Sequence, residues 1–430
     1  MFPTPSGPCV FGRGPARPDD PSPRVGWLRQ RPGRNEPTPP SEGASLSRRQ
    51  LELEAAGDRL LVRRVGRAPL RFDGRLTDEG ELRPDDVLEI EEQLVLLCVR
   101  RPVSLPASRA WSASADFAFG APDRFGIVGE SPAAWALRDD LAFAAQRPLH
   151  VLLLGPSGTG KELAAQALHA LSGRERPMVA RNAATIPPGI ADAELFGNVR
   201  DYPNPGMKER EGLLGAADGS TLFLDEIGEL PEDLQAHLLR VLDAGEHHRL
   251  GEERARRVDV RLVGATNRGL DSLKHDLAAR MTLRIEVPPL SARREDVPLI
   301  ARAILRRAAS ADPRLAAQLF DERADGLEPR LAPEIVVALA RHPLPLGVRE
   351  LEALLWRSIR ESTGRWIVLA RDAAAAAPRA RATGPEAIDA AAIRAALDAA
   401  GGVVSDAAEA LGLANRHVLH RLMKKHGVAR

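Results

Sequence analysis

Residues 151–162 read VLLLGPSGTGKE and decide the fold of the central part of the chain. The four apolar residues predict a buried parallel strand, the glycine-rich segment a tight loop, and the alanine-rich run that follows a helix. A P-loop needs this order, because its glycines let backbone N–H groups converge on a phosphate at a helix N-terminus. A glycine-rich turn with a chance lysine is the alternative, and the spacing argues against it. The residues predicted to contact a nucleotide are Gly155, Pro156, Ser157, Gly158, Thr159, Gly160, Lys161 and Glu162.

The end of this motif departs from the general pattern. Lys161 is predicted to reach the β- and γ-phosphates, but Glu162 replaces the Ser or Thr that usually follows and binds Mg²⁺. The metal therefore needs another ligand.

A second apolar run, 221–224, ends in the acidic pair Asp225 and Glu226. Ligands bind outside the carboxyl ends of the strands in an α/β sheet, so we expect both carboxylates beside the P-loop if the two strands are neighbours. Asp225 suits Mg²⁺, and Glu226 suits the polarisation of an attacking water. An acidic pair on the surface is the alternative.

The composition is that of a globular protein with several domains. A chain of 430 residues is long enough for about three domains, and the net charge of +1 gives no overall field for nucleic acid, so any basic surface must be local. Two cysteines, Cys9 and Cys98, are too few for a disulfide framework and indicate a reducing, cytoplasmic compartment. No long apolar run and no signal peptide is present, so we expect neither a membrane span nor export by that route.

Changes in composition divide the chain into domains. Residues 1–101 predict a small all-β domain with a partly disordered arm, rich in proline and arginine, up to about residue 46. Residues 102–124 and 366–385 predict linkers. Between them, 125–290 alternates apolar strands (151–154, 221–224 and 259–265) with amphipathic segments, which predicts an α/β nucleotide-binding sheet.

Several short segments of the central domain share one resemblance. They are 127–132 (IVGESP), 194–197 (ELFG), 230–232 (LPE), 265–268 (ATNR) and 347–351 (GVREL). From Gly129 to Leu351 the chain resembles the AAA+ domain of bacterial enhancer-binding proteins, the activators of sigma-54 RNA polymerase, a family that tolerates glutamate after the P-loop lysine. The resemblance implies a P-loop ATPase with a helical lid at 291–365, ATP and Mg²⁺ as ligands, and a homo-oligomeric ring of six or seven subunits.

The resemblance also assigns residues that sense the nucleotide. Val128 would lie near the adenine, and Asn182 would restrain the catalytic glutamate until the nucleotide state releases it. Thr266 or Asn267 would sense the γ-phosphate, and Arg349 would contact the nucleotide from the lid.

In rings of this family one subunit supplies arginines to the γ-phosphate of the next, and the two positions fall at Lys274 and Arg280. Arg280 is the predicted arginine finger. Lys274 keeps the charge but lacks the bidentate fork, so we expect slower hydrolysis than usual. An ion pair with Asp276 or Asp271 is the alternative role for either side chain.

The loop that contacts the sigma factor in this family reads GAFTGA, and here the aligned residues 201–206 read DYPNPG. The aromatic and threonine residues of the tip are gone. Two prolines fix φ near −65° and remove N–H donors, which predicts a stiffer loop. The expectation is retained nucleotide binding with doubtful sigma-54 contact.

The N-terminal domain resembles a forkhead-associated domain, a β-sandwich that binds phosphothreonine peptides. The matching segments are 11–14 (FGRG), 47–50 (SRRQ) and 82–87 (LRPDDV), and Arg13, Ser47 and Arg48 are the predicted phosphate ligands. Gln50 replaces the usual histidine, and 66–68 lacks the usual Asn-Gly. A sandwich retained only for contacts with other domains is the alternative.

The C-terminal residues 386–430 predict three short helices and resemble the Fis-type helix-turn-helix that ends many enhancer-binding proteins. Residues 404–430 carry five basic against two acidic side chains, and the basic excess lies on and after the presumed recognition helix. A basic helical cap without a DNA role is the alternative. The predicted DNA contacts are Asn415, Arg416, His417, His420 and Arg421, with Lys424 and Lys425 on phosphates.

The leading hypothesis is a cytoplasmic, ATP-dependent transcription regulator. Its expected partners are DNA, RNA polymerase holoenzyme, a phosphothreonine protein and further copies of the chain, with no membrane. Two alternatives stay open: a DNA-binding module in which ATP only switches the oligomeric state, and a phosphopeptide-reading scaffold without a promoter.

Overall fold

The computed structural model describes residues 7–15, 22–39, 45–72, 74–91, 93–111, 117–323, 326–372, 390–400, 403–404, 407–408, 416–426 and 428. Within these ranges the chain forms a β-sandwich, a parallel α/β sheet, a helical lid and a small C-terminal helical unit, so the predicted fold class is confirmed. No helix of the described ranges is long and apolar enough to cross a membrane.

The N-terminal domain is an antiparallel sandwich of two four-stranded sheets with an additional hairpin. The sheet orders are β1-β4-β5-β8 and β10-β9-β6-β7, and β2 pairs with β3. Alternation along β4 turns Leu51 and Leu53 into the core and Glu52 and Glu54 outward. The strands are β1 Cys9–Phe11, β2 Leu28–Arg31, β3 Arg34–Pro37, β4 Leu51–Ala56, β5 Arg59–Arg64, β6 Leu70–Phe72, β7 Arg75–Thr77, β8 Glu79–Leu82, β9 Val87–Ile90 and β10 Leu94–Leu97.

The first 46 residues contain three of these strands, where the composition predicts an arm without regular structure. Phe11 packs edge-on against Trp27 with ring centroids 5.4 Å apart, and β1 pairs with β4. These contacts join residues far apart in the chain, so local composition does not reveal them.

The central sheet has five parallel strands in the order β12-β13-β16-β11-β17. Both faces are covered: Val151 and Leu153 of β11 pack on one side and Leu152 on the other. Its strands are β11 Val151–Leu154, β12 Val179–Asn182, β13 Thr221–Asp225, β16 Arg261–Thr266 and β17 Leu283–Glu286, with a small ladder of β14 Glu246–His247 and β15 Arg256–Arg257. Its helices are α1 Pro132–Ala145, α2 Lys161–Leu171, α3 Ala191–Phe196, α4 Gly212–Ala216, α5 Glu232–Ala244 and α6 His275–Arg280.

The P-loop strand and the acidic strand are not neighbours, because β16 lies between β11 and β13. The condition attached to the sequence prediction is therefore not met. All three strands are parallel, however, so their carboxyl ends still lie at one edge of the sheet.

The lid is a helical bundle with a short hairpin. Its core contains Leu305, Ile335, Leu351 and Leu355. The elements are α7 Val297–Ala311, α8 Pro313–Leu319, β18 Phe320–Arg323, β19 Gly326–Pro329, α9 Pro333–Arg341 and α10 Val348–Glu361.

Both predicted linkers begin with packed residues. In the first, Leu105 and Trp111 are buried against Trp135 of α1. In the second, Ile367 bridges to Leu331 and is fully buried in the lid core. Leu105 and Trp111 are isolated in a polar segment and give no periodic signal, whereas Ile367 belongs to the short apolar run 366–370, which the linker prediction overlooked. Residues 373–389 lie outside the described ranges.

The C-terminal unit includes α11 Ala390–Ala399 and α12 Arg416–His426. Ile393 and Leu397 pack with Leu419 and Leu422, which holds the two helices together. Ala407 and Ala408, from the predicted middle helix, are helical and buried, whereas Asn415 lies outside the described ranges.

Candidate active site

The P-loop joins β11 to α2 as the sequence predicts. Gly158 has φ of 75° and Gly160 has φ of 99°, conformations that only glycine adopts without strain. The Lys161 ammonium donates to the backbone oxygens of Gly155 (2.9 Å) and Pro156 (3.2 Å). Glu162 is exposed on the first turn of α2.

The acidic pair lies within electrostatic reach of this lysine. Burial lowers the pKa of Lys161, and the carboxylates of Glu226 and Asp225 partly oppose that change. These charges are 64 and 65 residues apart in the sequence, and the parallel strands β11, β16 and β13 place them at one edge of the sheet.

The two carboxylates sit in different local environments. Asp225 Oδ1 accepts from the N–H of Glu226 at 3.1 Å. Glu226 has left-handed backbone angles (φ 51°, ψ 46°), and its Oε2 accepts from the N–H of Asn267 at 3.2 Å. The strand end of β16 thus contacts the predicted catalytic base directly.

Asn182 lies next to Asp225 in the β12–β13 ladder. Its Oδ1 accepts from the N–H of Ala184 at 2.9 Å, which caps the following turn. Within 117–323 the structure shows no hydrogen bond between Asn182 and Glu226, and the restraint that the resemblance implies stays a prediction.

The lid closes directly on the P-loop. Arg349 Nη1 donates to Ser157 Oγ at 2.9 Å, and the N–H of Val348 donates to the oxygen of Gly158 at 3.0 Å. The N-terminus of α10 is therefore directed at the predicted phosphate site.

Two buried residues that the sequence prediction missed hold this closure. Arg293, 4% exposed, donates from Nη2 to the oxygen of Thr159 at 3.2 Å. Asp296 Oδ1 accepts from the N–H groups of Glu130 (2.7 Å) and Ser131 (2.9 Å), beside the half-buried Val128. Asp296 precedes a helix with proline in its first turn and so looks like an N-cap, which hides its long-range role.

The predicted finger, Arg280, is the last residue of α6 and pairs with Asp243 of α5. The sequence suggested Asp276 or Asp271 as ion-pair partners, which are nearer in the chain; the observed partner is Asp243, because the end of α6 faces α5. At the second finger position, Lys274 Nζ lies 3.7 Å from Glu232 Oε2.

The loop at 201–206 is held by internal hydrogen bonds. The N–H of Gly206 donates to Asp201 Oδ1 at 2.8 Å, and the N–H of Asp201 donates to the oxygen of Met207 at 2.9 Å. The buried Asn198 amide donates to the oxygens of Tyr202 (3.3 Å) and Lys208 (3.0 Å).

The predicted phosphopeptide ligands lie on two backbone segments that are hydrogen-bonded to each other. The N–H of Arg13 donates to the oxygen of Ser47 at 3.0 Å, and Arg48 is exposed beside them. Ser47 Oγ accepts from the N–H of Arg67 at 2.9 Å. Gln50 is fully buried, and its side-chain amide donates to the backbone oxygen of Ala68 at 2.8 Å, which fixes the position of the loop at 66–68.

On the presumed recognition helix α12, the predicted DNA contacts His420, Arg421 and Lys424 are exposed, and Leu419 and Leu422 on the other face are buried. The side chains of Arg416, His417 and Lys425 lie outside what the structure describes, and so does Asn415.

A parallel sheet of this strand order, with a P-loop, an acidic strand end and a helical lid, defines the AAA+ class of P-loop nucleoside triphosphatases. The model of the family "Sigma-54 interaction domain" matches residues 127–291, and that of "Bacterial regulatory protein, Fis family" matches 384–426.

Individual relatives agree with these matches. The transcriptional regulatory protein ZraR of Salmonella typhimurium (strain LT2) is 36% identical over 317 residues, which cover 70% of this chain and 69% of that protein. The nitric oxide reductase transcription regulator NorR1 of Cupriavidus necator is 41% identical over 254 residues, 57% of this chain and 47% of that protein. Crystalline NtrX from Brucella abortus in complex with ADP is similar with a TM-score of 0.51 and 30% identity, covering 70% of both chains.

The chain therefore belongs to the sigma-54-dependent enhancer-binding transcription regulators, whose central domain is an AAA+ ATPase and whose Fis-type domain binds DNA. The family predicted from the sequence is confirmed.

Proposed function

We propose that this chain hydrolyses ATP in the cleft between the α/β sheet and the lid, and uses the cycle to control transcription at the DNA that its C-terminal domain binds. One observation carries the proposal: Arg349 of the lid donates to Ser157 Oγ of the P-loop at 2.9 Å, while Asp225 and Glu226 lie at the end of a strand parallel to β16 and β11, at the same edge of the sheet as Lys161. Three elements thus direct charged groups to one point at the edge of the sheet. The NtrX structures in complex with ADP and with ATP support an adenine nucleotide as the ligand.

In this proposal the Lys161 ammonium leaves the loop oxygens and donates to the β- and γ-phosphates. Arg349 contacts the nucleotide from the lid, Val128 lies near the adenine, and Glu226 orients and polarises the attacking water. Asn267, whose N–H donates to that glutamate, would sense the γ-phosphate, and Asn182, opposite Asp225 in the sheet, would restrain the glutamate until the nucleotide state releases it.

Mg²⁺ fits the proposed site, because a carboxylate is the ligand it prefers and Asp225 accepts a single hydrogen bond, from Glu226, among the described residues. When bound, the metal would neutralise charge that develops on the phosphates. Asp225 would hold it directly or through water, which compensates for Glu162 in the usual Ser or Thr position.

Arg280 acts in trans in this proposal. Its guanidinium would contact the γ-phosphate bound by the next subunit of a hexameric or heptameric ring, so the isolated subunit would be a slow enzyme. Lys274, at the second finger position, supplies charge without a fork, and we expect a lower rate than two arginines would give.

At the promoter, α12 would enter the major groove, with the exposed His420 and Arg421 toward bases and Lys424 toward phosphate. The partner is RNA polymerase holoenzyme in the cytoplasm. Contact with sigma-54 through 201–206 is reduced in this proposal, because the loop lacks the family's tip residues and is internally bonded. Genome-wide DNA occupancy that coincides with sigma-54 promoters would contradict this part.

The deciding experiment measures phosphate release by the purified chain with ATP and Mg²⁺. We expect turnover that Glu226→Gln abolishes while binding of a fluorescent ATP analogue persists, and Lys161→Ala to abolish both. Binding without turnover in the unmodified chain would instead favour ATP as an oligomerisation switch.

A second candidate function is phosphopeptide reading by the sandwich, which the proximity of Arg13, Ser47 and Arg48 favours. A phosphothreonine peptide library compared with its unphosphorylated counterpart tests it. If reading phosphopeptides is the whole function, deleting residues 387–430 leaves it intact.

A further inference from the structure

Asp243 holds the side chain of Arg280 by two hydrogen bonds along one edge of the guanidinium. Nε contacts Oδ1, and Nη2 lies 3.2 Å from Oδ2. Both side chains are about half exposed, at 48% and 46%. The hydrogen bond from Arg280 lowers the pKa of Asp243, so the carboxylate stays charged near neutral pH.

The geometry leaves the other edge of the guanidinium open. Arginine has five N–H donors in a planar fork, and a side-on pair through Nε and Nη2 uses one donor of each nitrogen. The end-on edge, Nη1 with the second N–H of Nη2, has no acceptor among the described residues. Two parallel N–H bonds from one edge are how arginine grips a phosphate, so the open edge is suited to that ligand.

We propose that Asp243 is a positioning residue for the arginine finger: it fixes the orientation of Arg280 from the side, so that the end-on edge is ready for the γ-phosphate of the neighbouring subunit. The inference rests on the proposed function, in which Arg280 acts in trans. A long arginine side chain otherwise loses considerable rotamer freedom when it binds, and the carboxylate removes part of that loss in advance.

The pairing at the second finger position differs. The Lys274 ammonium is 3.7 Å from the exposed Glu232, a single-point contact that does not orient a planar group. Positioning by a side-on carboxylate is therefore specific to the position that kept its arginine.

The test uses the full chain and five variants: Asp243→Asn, Asp243→Glu, Arg280→Ala, Asp243→Asn with Arg280→Ala, and Asp233→Asn. Asp233, exposed near the start of the same helix α5, is the matched control for loss of a negative charge. The measurements are kcat and KM for ATP under conditions where sedimentation shows equal assembly, and affinity of a fluorescent ATP analogue.

We expect Asp243→Asn to lower kcat about two- to fivefold with KM and nucleotide affinity unchanged, the range that an exposed ion pair can contribute. Asp243→Glu recovers part of the rate, and Asp233→Asn is like the unmodified chain. In the Arg280→Ala background Asp243→Asn has no further effect, because its action passes through the arginine.

An unchanged or higher kcat in Asp243→Asn overturns the inference, since the carboxylate would then be neutral or would sequester the finger. A further loss in the Arg280→Ala background also overturns it and indicates a structural role. If Arg280→Ala itself leaves kcat unchanged, the assignment of Arg280 as the finger fails, and the role of Asp243 fails with it. If only Asp243→Asn leaves kcat unchanged, the positioning role of Asp243 fails and the finger assignment stands.

Discussion

Glu226 combines a predicted catalytic role with an unfavourable backbone. Its φ of 51° lies in the left-handed region, which residues other than glycine, asparagine and aspartate seldom adopt. Strain of this kind persists where surrounding contacts enforce it and is concentrated at functional sites. The N–H of Asn267, bound to Glu226 Oε2, is one such contact.

Glu226→Gly is expected to abolish turnover without lowering the thermal unfolding midpoint. Glycine relieves about 1–2 kcal/mol of left-handed strain and adds about 0.5–1 kcal/mol of ordering entropy, so the net change is zero or slightly stabilising. Glu229→Gly, in the following turn with ordinary φ, is the matched control and should lower the midpoint. Calorimetry of both variants checks this, and a clear loss of stability in Glu226→Gly would show that the backbone there is unstrained.

His150 makes stability depend on pH. Burial lowers its pKa below the ordinary value of 6.5, and its Nδ1 accepts from the N–H of Leu262 at 3.1 Å, which requires the neutral ring. The unfolded chain therefore binds a proton before the folded chain as pH falls. The contribution of His150 is fully present above about pH 6.5 and declines as pH drops below it.

His150→Gln is expected to flatten the fall of the unfolding midpoint as the pH drops below about 6.5, because an amide does not titrate. His275→Gln, which changes a ring that is 99% exposed, is the comparison variant. Equal profiles for the two variants would contradict the assignment.

At the scale of elements, the P-loop is held from the lid as well as from its own strand and helix. The start of α10 bonds to Gly158, and an added Cβ on that glycine would lie 2.3 Å from the oxygen of Leu346. Arg293 bonds to Thr159 from the other end of the lid. Lid position and phosphate binding are therefore mechanically linked.

Gly158→Ala is expected to displace the lid and weaken nucleotide binding at least about tenfold, because a backbone oxygen cannot yield to the new methyl as a flexible side chain would. Gly173→Ala is a close control: φ is 73° against 75°, but its Cβ would meet nothing within 4 Å. The control should cost about 1–2 kcal/mol of stability with unchanged affinity. Calorimetry and titration with a fluorescent ATP analogue measure both, and equal affinities would exclude a steric role of the lid.

What the sequence predicts well is local in the chain. The P-loop, the strand ending in Asp225 and the apolar pattern of α12 each follow from a few consecutive residues, and the structure has them at the expected positions. What it misses depends on partners distant in the chain: β16 between the two site strands, Asp243 opposite Arg280, and Asp296 bonded to the segment at 130–131. No local pattern encodes those pairings, because the order of the strands and the partners of the two aspartates depend on segments distant in the chain.

At the scale of the whole molecule, the sandwich contacts both the α/β domain and the lid. Arg31 of β2 forms an ion pair with Glu130, and Arg101 donates to the oxygen of Glu130 at 2.8 Å. The turn before β9 places Asp85 3.5 Å from Arg294 at the start of the lid. A displacement of the sandwich would therefore break contacts with both the α/β domain and the lid, which form the two sides of the nucleotide cleft.

The Arg31–Glu130 pair is the strongest of these contacts, with side chains 10% and 4% exposed. Arg31 Nε lies 3.0 Å from Glu130 Oε2, and its guanidinium stacks 4.6 Å from the ring of Phe117. Removing one partner of a buried pair leaves the other charge without compensation, which typically costs about 3–5 kcal/mol. Glu130 would retain bonds from Trp135 Nε1 and the N–H of Gly120, which reduce that cost.

Arg31→Ala is therefore expected to cost about 3 kcal/mol of docking free energy and to release the sandwich while the AAA+ domain stays folded. Limited proteolysis should then cut within 102–124 much faster than in the unmodified chain, and the nucleotide should still protect the central domain. Arg34→Ala on the adjacent β3 removes an exposed ion pair with Glu36 and should change neither result. Equal cleavage rates for Arg31→Ala and Arg34→Ala would mean that the sandwich is held by its apolar contacts, and that the buried ion pair contributes nothing to its attachment.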